Sequence, residues 1–74
     1  MSAPGLRARV GVNIRRLRHA RKLSQEALAA DASLDQGYMS RIEAGSINFR
    51  IEALARLAAA LGVTPGRLLR DGDG

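Results

Sequence analysis

The chain has no cysteine, no tryptophan and a single histidine, His19. Without thiols it can build neither a disulfide framework nor a thiolate metal site. One imidazole cannot hold a metal ion by itself, so no metal or cofactor is expected. The same lack argues against an enzyme, because no second histidine and no cysteine can complete a nucleophile–base pair. Tyr38 and Phe49 are the only aromatic residues, too few to stack bases of single-stranded nucleic acid or RNA loops. No apolar run approaches the roughly 20 residues of a membrane span, and residues 1–5 lack a signal peptide's hydrophobic region. A cytoplasmic location away from membranes is expected. No segment alternates with period two, so no strand is expected.

Acid is missing locally as well. Residues 1–22 carry Arg7, Arg9, Arg15, Arg16, Arg18, Arg21 and Lys22 with no carboxylate, although the whole chain is only +5. Residues 23–50 are net acidic and the remainder balances. A basic block of this kind favours polyanions; it also suits a plain solvated helix face. The 74 residues suggest one domain, near the size at which a single core is marginally sufficient. Stability is then expected from helix packing and from a second subunit.

What is present is helical periodicity with clear punctuation. Leu6, Val10, Ile14 and Leu17 recur on one face and predict a helix over about residues 6–21. Residues 23–45, LSQEALAADASLDQGYMSRIEAG, read as two short capped helices. Ser24 caps a helix over about 25–31 that buries Leu28 and Ala29, and Asp35 caps one over about 36–44. Gly45 is placed to end the latter in a left-handed conformation. Only Ala32, Ser33 and Leu34 separate the two helices, which makes a helix-turn-helix able to present its second helix to a major groove. A loop over 46–49 precedes a fourth helix marked by Ile51, Leu54, Leu57, Ala58 and Leu61 and ended by Gly62. Thr64 and Pro65 start a short fifth helix to about residue 69, and residues 70–74 should fray. The fold expected is all-α: a compact five-helix bundle forming one domain over 1–74, with its core at about 6–69.

Taken together, IRRLR at 14–18, LSQEALA at 23–29, YMSRIEAG at 38–45 and the stretch 54–63 resemble the phage repressor and Cro type of helix-turn-helix domain, the lambda-repressor-like DNA-binding domain. The resemblance spans about residues 10–69 and implies a homodimer on a partly palindromic operator of double-stranded DNA. The small size, LDQGYMS at 34–40 and NFRI at 48–51 are similar to controller proteins of restriction–modification systems. Three positions depart from the pattern. Ser33 stands at a turn position where glycine is frequent, and carries strain if the backbone there is left-handed. Gly37 replaces a reading side chain, and Ser46-Ile47 lacks the basic residue often found in that loop. The resemblance also implies a structural ion pair between Arg18 and Glu43.

At 100° per residue, Met39 and Ile42 of the third helix point to the core, while Gln36, Gly37, Ser40, Arg41 and Ala44 point outward. Gln36 suits adenine, Arg41 suits guanine and Ser40 suits either partner type. Gly37 costs about 1 kcal/mol against alanine in a helix but permits close backbone approach to a base pair. Phosphate contacts are expected from Ser24 and Gln25 at the start of the second helix, and from Tyr38, Asn48 and Arg50. Asn48 equally suits loop backbone, and Arg50 a solvated helix start. Val63, Leu68 and Leu69 are expected to form the dimer interface; closing the monomer core is the other role open to the leucines. The expected function is a sequence-specific DNA-binding transcription regulator with no small-molecule ligand. The alternative is the antitoxin of a toxin–antitoxin pair, but neutralising a toxin usually needs an added segment, and only Asp71-Gly72-Asp73-Gly74 follows the fifth helix.

Overall fold

A computed structural model of the chain describes residues 5–70. They form α1 (Leu6–Ala20), α2 (Gln25–Asp31), α3 (Gln36–Ala44), α4 (Ile51–Leu61) and α5 (Pro65–Leu69), with no strand among them. The expected frayed tail lies outside the described residues from position 71 onward.

Helices α2, α3 and α5 start at side-chain caps, whereas Gly5 and Arg50 precede α1 and α4 without one. The Ser24 hydroxyl accepts the Ala27 N–H at 2.9 Å, Asp35 Oδ2 accepts that of Tyr38 at 3.1 Å, and Thr64 Oγ1 accepts that of Arg67 at 3.3 Å. These bonds satisfy first-turn donors that have no partner within the helix. At the other end Gly45 and Gly62 adopt φ of 72° and 73°, which lets the chain reverse out of α3 and α4 without a Cβ clash. Ser33, inside the turn between α2 and α3, has φ of 56°. A serine therefore bears the strain that glycine would avoid.

The core gathers Val10, Ile14, Leu28, Met39, Ile42, Leu57, Leu61 and Leu68, all essentially excluded from solvent. Helix α1 packs against α3 and α5, and α4 packs against α2 and α5. Three expectations from periodicity need correction. Leu6 and Ile51 fall on apolar stripes yet are 52% and 81% exposed, each at the first position of its helix. Leu68 was expected at a dimer surface, but it is fully buried inside the monomer. The contact of α5 with both α1 and α4 closes the core over it.

Two features of α1 escape the periodic pattern. Asn13 is 2% exposed, and its amide donates to the carbonyls of Leu68 at 2.8 Å and Arg70 at 2.9 Å. It thus supplies partners for the open end of a five-residue helix that has none of its own there. Gly11 lies where α1 crosses the end of α3. A Cβ there would stand 2.3 Å from the Glu43 carbonyl oxygen and 2.8 Å from that of Ile42. Backbone oxygens cannot rotate aside, so Gly11→Ala should force the helices apart. Overpacking of this kind costs about 1–3 kcal/mol, which outweighs the roughly 1 kcal/mol of helix propensity gained. Chemical denaturation should find the variant less stable than the parent; an equal or higher midpoint would show that the crossing is loose.

Candidate nucleic-acid interface

With Met39 and Ile42 anchored in the core, the opposite face of α3 has to point outward. Gln36, Gly37, Ser40, Arg41 and Ala44 are all exposed along it. The two flanks of the same helix are pinned. Glu43, on one flank, accepts from Arg18 Nε at 2.8 Å and Arg18 Nη2 at 2.9 Å, a forked geometry that fixes both side chains. Arg18 also donates to the Leu23 carbonyl at 2.9 Å, so one guanidinium ties α1, the α1–α2 link and α3 together. The Glu43 hydrogen bonds raise the Arg18 pKa above its ordinary value against the opposing effect of burial, so the guanidinium keeps its charge.

Gln25 is held on that flank too. Its amide donates to Glu43 Oε1 at 3.3 Å, so the ion pair positions Gln25 beside α3. A cleft of about 200 Å³ there is lined by Arg15, Arg18, Gln25, Ser40, Glu43 and Ala44. Arg15 thereby joins the outward face through its place on α1. On the other flank the Tyr38 hydroxyl accepts the backbone N–H of Arg50 at 3.1 Å, which docks the entry to α4 against the first turn of α3. Its own proton remains to be donated outward. Arg50 is exposed at this edge, and Asn48 is exposed in the preceding loop. The Ser24 oxygen already caps α2. The outward face of α3 is therefore bracketed by Arg15 and Gln25 on one side and by Tyr38 and Arg50 on the other.

Residues 9–71 match the family model described as a helix-turn-helix domain. The chain belongs to that family. Among helix-turn-helix relatives, it is 37% identical over 67 residues to control protein C.MunI of Mycoplasma sp, covering 89% of this chain and 90% of that protein. It is similar in structure to the restriction–modification controller protein C.AhdI from Aeromonas hydrophila, with a TM-score of 0.81 and 37% identity over 84% of this chain and 94% of that one. A hypothetical transcription factor from Neisseria superposes with a TM-score of 0.89 at 35% identity, covering 97% of this chain and 86% of the other.

The basic block of this helix-turn-helix chain divides once the fold is known. Arg18 serves the ion pair, and Arg21 donates to the Leu61 carbonyl at the end of α4. Arg21 also occupies the space in front of Gly62, where a Cβ would meet its guanidinium at 2.9 Å. Both arginines therefore have structural partners. Asn13 and Gly11, which sequence reading left aside, did carry signals. Asn13 is a polar residue at the edge of an apolar arc, and Gly11 is a poor helix former in a helix interior, a usual mark of close packing.

Proposed function

We propose that the chain is a DNA-binding transcription regulator that acts as a homodimer on a partly palindromic operator, in the manner of the restriction–modification controllers it resembles. The observation that carries this reading is the α3 face. Its flanks are locked by Arg18–Glu43 and Tyr38–Arg50, while Gln36, Gly37, Ser40 and Arg41 stand exposed between them. In this reading those four residues meet base edges, and Ser24, Gln25, Tyr38, Asn48 and Arg50 meet phosphates. Arg15 joins the phosphate contacts through its position in the Gln25 cleft. Val63 and Leu69, the latter 37% exposed, supply the apolar part of the dimer contact. Binding to the promoter of its own gene would let protein concentration set the response, since no ligand pocket is needed.

Selection from randomised duplexes tests this. The wild type should enrich a site with two related half-sites, and the same site should occur upstream of its own gene. Arg41→Ala should lose about 1–3 kcal/mol per half-site at one base position and relax preference there. Gln25→Ala should weaken all sequences about equally, because phosphate contacts carry no sequence information. Unchanged preference in Arg41→Ala at every position would remove Arg41 from the reading set.

A further inference from the structure

The gap left by Gly37 has chemistry on both sides. A Cβ at that position would lie 3.0 Å from Asp35 Oδ2 and 3.6 Å from Arg41 Nη2. The guanidinium of Arg41 therefore lies back along α3, over the missing side chain, towards the carboxylate that caps the helix. Those two distances together limit the separation of the two groups to the breadth of one base-pair edge. We infer that Arg41 and Asp35 form a single reading element across the Gly37 gap, complementary to the major-groove edge of one G·C pair. The inference rests on the α3 face reading DNA and names what one part of that face recognises.

The match is one of hydrogen-bonding pattern. Guanine presents two acceptors, N7 and O6, and its partner cytosine presents the N4 amino donor beside them. Arg41 supplies two N–H donors for the guanine. Asp35 Oδ2 accepts the Tyr38 N–H at 3.1 Å, and the carboxylate keeps further lone pairs for the cytosine amino group. With adenine at the arginine's place, thymine O4 faces the carboxylate, acceptor against acceptor; in the reverse orientation thymine O4 offers the guanidinium one acceptor where guanine offers two. A carboxylate among DNA phosphates is unfavourable unless it finds a donor, so Asp35 penalises every pair that lacks an amino group at that place. Gly37 makes the element possible. Any side chain there would fill the space the base edge must enter and would crowd the Asp35 oxygen.

The test replaces the cytosine of the selected G·C pair by pyrimidin-2-one, which keeps the ring and lacks the exocyclic amino group. Wild type should bind the substituted duplex about tenfold more weakly per half-site. Asp35→Ser keeps a good N-cap and should bind both duplexes within about twofold of each other, since its short hydroxyl is taken up by the cap and no carboxylate oxygen is left for the cytosine. Gly37→Ala should also lose most of the discrimination while remaining folded, because the helix propensity of alanine offsets the crowding of the cap oxygen. That combination separates lost reading from lost folding. Equal binding of both duplexes by wild type, or discrimination by Asp35→Ser as strong as wild type's, would overturn the inference alone. A wild type that enriches no site would overturn the regulator reading itself.

Discussion

Arg18→Ala is expected to lower the melting temperature by roughly 12–24 °C, from a loss of about 3 kcal/mol at about 4–8 °C per kcal/mol for a domain of this size. The side chains of Arg18 and Glu43 are 11% and 5% exposed and joined by two hydrogen bonds. Removing the guanidinium leaves a largely buried carboxylate without its counter-charge and the Leu23 carbonyl without its donor. That is more costly than the net worth of the intact pair, since the pair must itself offset desolvation. The whole fold is worth only about 5–10 kcal/mol at this length, so the loss is a large share. Arg18→Met combined with Glu43→Met should recover much of it, because no charge then remains buried. Thermal unfolding followed by circular dichroism decides the point. A melting temperature of Arg18→Ala within about 2 °C of wild type would show the pair to be solvated in solution. The raised Arg18 pKa adds stability present below the unfolded-state value and lost only as pH rises through the folded one. Both lie above any practical range, so this contribution should not vary between pH 5 and pH 9.

The second large effect concerns the dimer. Leu69→Asp is expected to give a folded monomer whose operator affinity falls by about 10²–10⁴-fold, the gain that linking two half-site contacts provides. Leu69 is the partly exposed member of the apolar pair at the end of α5, and its neighbour Leu68 holds the core. A charge at 69 can therefore abolish association without opening the monomer. Leu68→Asp should instead unfold the chain, by placing an unpaired carboxylate in the core. Sedimentation at tens of micromolar, with a binding titration on the selected duplex, separates the cases. A wild type that sediments as a monomer, free and on DNA, would sink the dimer. So would a Leu69→Asp variant that remains dimeric with unchanged affinity.

The contrast between Leu68 and Leu69 shows where sequence information ends. Helix starts and stops are local: Ser24, Asp35 and Thr64 bond to atoms three residues away, and Gly45 and Gly62 act through their own φ. Five helices, their order and the inward aim of Met39 and Ile42 follow from such short-range chemistry and from a period of 3.6 residues. The outward set Gln36, Gly37, Ser40 and Arg41 follows as its complement, so the candidate site was largely legible in the sequence. What periodicity could not decide is which neighbour covers a given stripe. Leu6 and Ile51 share the pattern of core residues but stay exposed at the first position of their helices, whereas Leu68 is sealed in by α1 and α4. Contacts that join residues distant in the chain were equally hidden: Asn13 to Leu68, Gly11 to Glu43, Arg21 to Leu61 and Tyr38 to Arg50. The sequence by itself determined the helices and the face that α3 turns outward, because those depend on neighbours along the chain. The tertiary structure alone decided which arginines are committed to structure and how Gln25 and Arg15 come to border that face. Each of these depends on how separate helices cross, and crossing is fixed by packing in three dimensions.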